Sequence, residues 1–287
     1  MVKSLREYIK EAEKNKVAIG HFNISNIEGL WAVFNAAKSL NVPVIVGVSE
    51  GERENIGVEQ AVALVKRFNE EYDFPIFINA DHTYKVELVK EAIDAGFDMV
   101  IYDGAQLSFE ENVKNTKECV EYARNSKNKN ILMEAELGYI GSGSNIKESI
   151  PEGAGIKTDP AEAKKFVEQT GGIDLLAPSV GSIHGLIKSG KPHIDGPLVK
   201  EIREAVGIPL VLHGGSGLTE QDFLNAIDGG ISIIHISTEL RVAFAQALKL
   251  SLQENPDETT PYKIMKPTIV AMQKIVEARL KLFNKLS

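Results

Sequence analysis

Eight short runs along the chain are apolar nearly throughout and rich in β-branched residues: 17–24, 42–48, 74–80, 98–102, 131–137, 173–180, 208–212 and 231–236. Between them lie longer stretches with apolar positions at helical spacing, over 27–40, 58–68, 86–95, 109–124, 160–169, 197–206 and 220–227. The first pattern predicts strands buried on both faces, as in a parallel sheet. The second predicts amphipathic helices packed over that sheet. Several helical stretches stop at a glycine just before the next strand, in "DAGFDMV", "AVGIPLV" and "DGGISII", which is a C-cap signal. Eight strands alternating with helices in 287 residues predict one closed (β/α)8 TIM barrel, an α/β fold forming a single domain over 1–287. An extra helix in the charged "MVKSLREYIKEAEKNK" precedes the barrel, and helices over 238–253 and 266–286 extend it. The first strand-to-helix turn lacks G-x-G-x-x-G, which argues against a dinucleotide-binding sheet. One segment breaks the rhythm. Residues 138–158, "GYIGSGSNIKESIPEGAGIKT", are long, rich in Gly and Ser, and predict a lid loop after the fifth strand.

Composition adds constraints rather than a function. Apolar residues make up 43% of the chain, enough for a large core. Lys and Arg number 32 against 40 Asp and Glu, a net charge of −8, so no general field draws the chain to nucleic acid or anionic membrane. Any bound phosphate must be held locally. The one cysteine, Cys119, excludes an intrachain disulfide and falls in a helical pattern, where packing is the expectation. No stretch has the apolar length of a signal peptide or a membrane span, and a cytoplasmic protein is expected.

In a barrel, the C-terminal strand ends form the functional mouth. Taken in order they carry Asn23; Ser49 and Glu50; Asp81 and His82; Asp103; Glu134 and Glu136; Ser182 and His184; His213; and His235, Ser237 and Thr238. Four of the six histidines are in this set. A catalytic zinc takes three protein ligands and keeps one position open, and His82, His184 and His213 supply three imidazoles from three strands. Each alone reads as an ordinary core or loop residue; together with neighbouring carboxylates they predict a metal centre. In "HGGSGL", Gly214, Gly215 and Ser216 expose backbone N–H groups at a strand-to-helix turn, and "STEL" at 237–240 opens the next helix. Side by side they predict a phosphate site, against the plainer reading of Ser216 and Ser237 as N-caps.

Over nearly its whole length the sequence resembles the class II, metal-dependent ketose-bisphosphate aldolases, of the fructose-bisphosphate and tagatose-bisphosphate type. The resemblance runs through "FNISNIEGLWAVFNAAKSLNVPVIVGVSEG", "NADHTYK", "IYDGAQLSFEENVKNTKECVEYA", "MEAELGYIG", "KTDPAEAKKFVEQTGGIDLLAPSVGSIHG" and "VLHGGSGL". It implies a lyase that cleaves fructose 1,6-bisphosphate, or another phosphorylated ketose, to dihydroxyacetone phosphate and an aldehyde phosphate. His82, His184 and His213 match the ligands of Zn²⁺ or another divalent transition metal, and Asp81 matches the catalytic acid/base. Asp103 and Glu136 match carboxylates that can hold the metal in an alternate position. Asn23 and Ser49 match substrate contacts. Gly185, Lys188, Gly214, Gly215, Ser216, Ser237 and Thr238 match the phosphate-binding region. The resemblance also implies a monovalent cation, Na⁺ or K⁺, near Gly185 and Gly214, and a homodimer or homotetramer.

Three departures stand out. His235 occupies a position where the family carries an asparagine that contacts the ketone; substrate contact is the expectation. The family's acidic lid run is here "GSGSN", with Gly143 and Ser144 at the matching positions, so Glu148 or Glu152 would have to supply a lid carboxylate. His21 precedes Asn23 by two and shares its strand face, where a packing or specificity change is expected. Arg241 is a candidate contact for a second phosphate. A non-catalytic sugar-phosphate sensor is the reading left if the altered lid and His235 abolish turnover.

Overall fold

The computed structural model describes residues 2–141, 143 and 145–286. Eight parallel strands close into a barrel: β1 (Ile19–Asn23), β2 (Val44–Val48), β3 (Ile76–Thr83), β4 (Met99–Tyr102), β5 (Leu132–Leu137), β6 (Leu175–Pro178), β7 (Leu210–Leu212) and β8 (Ile231–Ile236). Each pairs with its sequence neighbours, and β8 returns to β1, with His21 opposite His235 in register. The fold is the predicted one. The glycines expected to end helices do so: Gly96, Gly207 and Gly230 sit at C-caps with φ of 93°, 70° and 118°.

Alternation along the strands separates two cores. Outward residues such as Phe22, Val44, Val46, Ile76, Ile78 and Leu212 pack under the surrounding helices. Inward residues Ile19, Ile45, Phe77, Met99, Leu132, Val211 and Ile233 fill the barrel, and Leu5, Ile9 and Ala12 of the helix Leu5–Asn15 join this inner cluster and close the end where the strands begin. Two residues further along the same inward rows, the side chains change character. Ile19 gives way to His21 and Asn23, Phe77 to Asn79 and Asp81, Leu132 to Glu134 and Glu136, Val211 to His213 and Ile233 to His235, all buried. The barrel is apolar at its floor and titratable at its mouth.

Two helices differ from the expectation. A short helix, Glu50–Ile56, follows β2, opened by a capping box between Ser49 and Glu52. The last helix begins at Pro261, not 266, because Pro261 sits at the first helical position, where its missing N–H costs nothing. That helix, Pro261–Phe283, buries Met272, Val276, Leu280 and Phe283 against the main core. Cys119 is fully buried in the helix Phe109–Asn125, and burial pushes its thiol up to about 12. Among the described residues, no helix is long and apolar enough to cross a membrane.

Candidate active site

Adjacent residues of a strand point to opposite faces, so Asp81 and His82 should not both face the mouth. The end of β3 is irregular. Its register with β4 shifts between Ala80 and Thr83, and His82 has φ +36°. Such a bulge re-aims a side chain, at the cost of a left-handed backbone that a non-glycine residue rarely adopts. Arg53, from the short helix after β2, holds this turn. Its guanidinium donates to the Val48 carbonyl at 2.6 Å, the Asp81 carbonyl at 3.0 Å and Thr83 Oγ1 at 3.0 Å, with the residue 5% exposed.

Three imidazoles converge at the mouth. The ligand-capable atoms of His82, His184 and His213 lie within 4.8 Å of one another. His82 Nε2 and His213 Nδ1 are 3.1 Å apart, close to the roughly 3.3 Å edge of a tetrahedron with zinc–nitrogen bonds of about 2.0–2.1 Å. The other nitrogen of each ring is already engaged. His82 Nδ1 donates to Asp103 Oδ2 at 2.8 Å, His184 Nδ1 to the Gly141 carbonyl at 2.6 Å, and His213 Nε2 to Glu134 Oε1 at 2.7 Å. Outer partners of this kind fix the tautomer and turn the remaining nitrogen toward a metal. Glu136 Oε2 is buried without a hydrogen-bond partner among the described residues, 3.8 Å from His82 Nδ1 and 3.9 Å from His213 Nδ1. The donor set fits a divalent transition ion with a carboxylate beside it.

The charges agree. Burial opposes the charged form of His82, but Asp81, Asp103 and Glu136 outweigh it and hold the imidazole well above its usual pKa. Burial pushes the Asp81 carboxyl up, but His82, His235 and His21 hold it well below the ordinary range. Burial and the adjacent Asp103 drive Glu136 well above it. Burial, with His82 and His213 nearby, pushes His184 down to about 3, leaving a neutral ring of the kind that binds metal.

Above the histidines opens a cleft of about 280 Å³. Of the residues expected there, Asn23, Ser49, Asp81, His82, His184, Gly185, His213, Gly214, Gly215, Ser216, His235, Ser237, Thr238 and Arg241 line it; Asp103 and Glu136 lie beneath, around His82. Lys188 does not line it. A two-stranded ribbon, Ile146–Lys147 with Leu186–Ile187, joins the loop after β5 to the loop after β6. On that ribbon Lys188 pairs with Glu148 at 2.6 Å, both exposed, which takes the expected phosphate cation and one expected lid carboxylate away from the cleft together. Glu152 is also exposed. Gly143 reaches the cleft, and Ser144 lies outside the described residues.

Four site features escape the sequence reading. Arg53 is one. Asn79 is the second: its amide lies 3.1 Å from His21 Nε2. The third is a column of rings. His21 stacks on His235 with centroids 3.4 Å apart and planes 4° from parallel, and His235 stacks on His213 at 4.0 Å. His235 Nδ1 sits 3.3 Å from Asp81 Oδ1, and its Nε2 is buried without a partner among the described residues. Gly47 makes room for this column, since a Cβ there would lie 2.1 Å from His21 Cε1. The fourth is Glu52, which lines the cleft and accepts from Asn23 Nδ2, while that same amide donates to Asp81 Oδ2, both at 2.9 Å. The S-x-x-E spacing at 49–52 was the available signal for Glu52.

The family described as "Fructose-bisphosphate aldolase class-II" matches residues 3–286. A fructose-bisphosphate aldolase of Geobacillus stearothermophilus is 39% identical over 284 residues, covering 98% of this chain and 96% of that protein. One from Staphylococcus aureus is 38% identical with the same coverage. Among solved structures, the YdjI aldolase from Escherichia coli K12 aligns with a TM-score of 0.82 and 32% identity, covering 99% of this chain and 97% of that one.

Proposed function

The chain belongs to the class-II fructose-bisphosphate aldolase family, and from that footing we propose that it cleaves fructose 1,6-bisphosphate reversibly to dihydroxyacetone phosphate and an aldehyde phosphate. The observation that carries the reading is the convergence of three imidazole nitrogens whose ring partners are already engaged. His82, His184 and His213 would hold Zn²⁺ or another divalent transition metal, with Asp103 and Glu136 as the nearby carboxylates. Bound there, such an ion supplies Lewis-acid stabilisation of the negative charge left on the ketone fragment.

This chain's own residues do the rest. Asp81 takes the proton of the C4 hydroxyl in cleavage and returns it in condensation. The Asn23 amide, donating to Asp81 Oδ2, fixes that carboxylate. Backbone N–H groups at Gly214 and Ser216, with Ser237 and Thr238 at the start of the helix Thr238–Glu254, hold the ketone-side phosphate and position the reacting carbon, while Gly215 lines the cleft with its own N–H donated to the His235 carbonyl at 3.2 Å. Gly185 borders this cradle, and a monovalent cation near the Gly185 and Gly214 carbonyls belongs to the same reading, as does a homodimer or homotetramer in the cytoplasm. With Glu148 paired away on the ribbon, proton exchange on the ketone fragment is expected to lag behind cleavage of the carbon skeleton. The intact set of Asp81 and three histidines favours an enzyme over a sugar-phosphate sensor.

The test pairs metal analysis with a coupled assay on fructose 1,6-bisphosphate. About one divalent ion per chain and turnover that Asp81→Ala abolishes without loss of metal are expected. Unchanged turnover in Asp81→Ala removes Asp81 from the reaction.

A further inference from the structure

The aldolase reading leaves one wall of the cleft without a task. The bond that breaks joins the ketone fragment to the carbon whose oxygen meets Asp81, so the departing aldehyde extends past Asp81. What lies there is acidic. Glu52 Oε2 and Asp81 Oδ2 share the two protons of one amide, Asn23 Nδ2, each at 2.9 Å. Glu52 Oε1 accepts from Ser25 Oγ at 3.2 Å, and Glu50 lines the same wall beside Tyr84. Apart from histidines, the one cationic side chain among the described residues lining the cleft is Arg241, and its Nη2 lies 3.4 Å from Thr238 Oγ1, on the side of the phosphate cradle. Between these walls, the buried Asp81 Oδ1 faces His235 Nδ1 at 3.3 Å, and the buried His235 Nε2 has no hydrogen-bond partner among the described residues, marking where a ligand's oxygen meets the protein.

We propose that the Glu50–Glu52 wall receives a neutral, hydroxyl-bearing aldehyde fragment, so that the chain also cleaves ketose 1-phosphates, which carry no phosphate at the far end, about as readily as a ketose bisphosphate. This rests on the aldolase reading of the same cleft. A carboxylate accepts hydrogen bonds from sugar hydroxyls, whereas a phosphate dianion beside it is repelled, most strongly where water is excluded. One arginine can balance one phosphate; a bisphosphate brings two. The reaction balances without a co-reactant. The C3–C4 bond breaks and its electron pair stays on C3, which takes a proton from solvent, while the C4 hydroxyl proton passes to Asp81 and from there to solvent. The products are dihydroxyacetone phosphate and an unphosphorylated aldehyde.

The metal-loaded full chain is assayed for dihydroxyacetone phosphate release from fructose 1-phosphate and from fructose 1,6-bisphosphate. The expected kcat/KM for the bisphosphate is no more than tenfold above that for the monophosphate. Glu52→Gln keeps the capping box and is expected to shift the ratio about tenfold toward the bisphosphate, through KM rather than kcat. A wild-type preference for the bisphosphate above tenfold, or a ratio unmoved in a Glu52→Gln protein that melts like the parent, overturns the proposal and leaves the aldolase standing. Failure of the metal-loaded chain to cleave either ketose overturns the aldolase reading itself.

Discussion

Replacing Arg53 with alanine tests how the mouth of the barrel is held. The guanidinium is buried and makes three hydrogen bonds, to the Val48 and Asp81 carbonyls and to Thr83 Oγ1. Hydrogen bonds from a charged donor are each worth about 1.5–3 kcal/mol, and a buried acceptor left unpaired costs about 1–3 kcal/mol. These do not sum, because removing the arginine also relieves the cost of desolvating its charge. A net loss of about 3 kcal/mol is expected. In a chain of 287 residues that lowers the melting temperature by about 6 °C, at about 2 °C per kcal/mol. The effect on turnover should exceed the effect on stability. Arg53 restrains a bulge in which His82 holds φ +36° and from which Asp81 enters the cleft, and a misplacement of about 1 Å can cost on the order of 100-fold in rate. Arg53→Lys, with one nitrogen for three acceptors, should fall between. Thermal melts and the coupled assay report both quantities. If Arg53→Ala melts within 1 °C of the parent (about 0.5 kcal/mol) and turns over within about twofold, the clamp does not exist as described.

Other outcomes follow from the same geometry. His213→Ala removes one metal-facing nitrogen and strands Glu134, so retained metal under chelator competition should fall at least about 10-fold; stoichiometric metal would end its role as a ligand. Gly47→Ala drives a methyl into His21 and should destabilise by about 1–3 kcal/mol in thermal melts, with His21→Ala in the same chain restoring most of it; a parent-like single variant would mean the ring column yields freely. Lys188→Ala breaks only an exposed pair and should change stability by less than about 1 kcal/mol with KM unchanged; a raised KM would return Lys188 to the phosphate site.

The barrel was legible because each strand is buried on both faces and each helix on one, so the period of the apolar pattern carried the topology. The mouth was legible wherever a strand simply ends, as at Asn23, Glu136 and His213. It was hidden where local geometry breaks the period. Nothing in "NADHTYK" announces the bulge that lets Asp81 and His82 share a face. Arg53 reads as a solvated charge on a short polar stretch, because its partners are mostly backbone carbonyls brought in from β2 and β3. The stacking of His21 on His235 depends on strands 1 and 8 closing the ring, a contact between the first and last strands of the barrel. Lys188 differs for the opposite reason: it lies three residues after Gly185 of the expected phosphate region, but the ribbon carries it outward to Glu148.

Beside that ribbon, one histidine is tied to its neighbour's loop through its amide, its carbonyl and one ring nitrogen. The His184 amide donates to the Ile140 carbonyl at 3.0 Å, its ring to the Gly141 carbonyl, and its own carbonyl accepts from Lys147 Nζ at 2.7 Å. These three bonds join Ile140, Gly141 and Lys147 to His184. Under the proposed function, an opening of these loops wide enough to admit a bulky sugar must either displace the His184 ring or first break these three bonds, so substrate entry and metal retention would draw on a single mechanical joint.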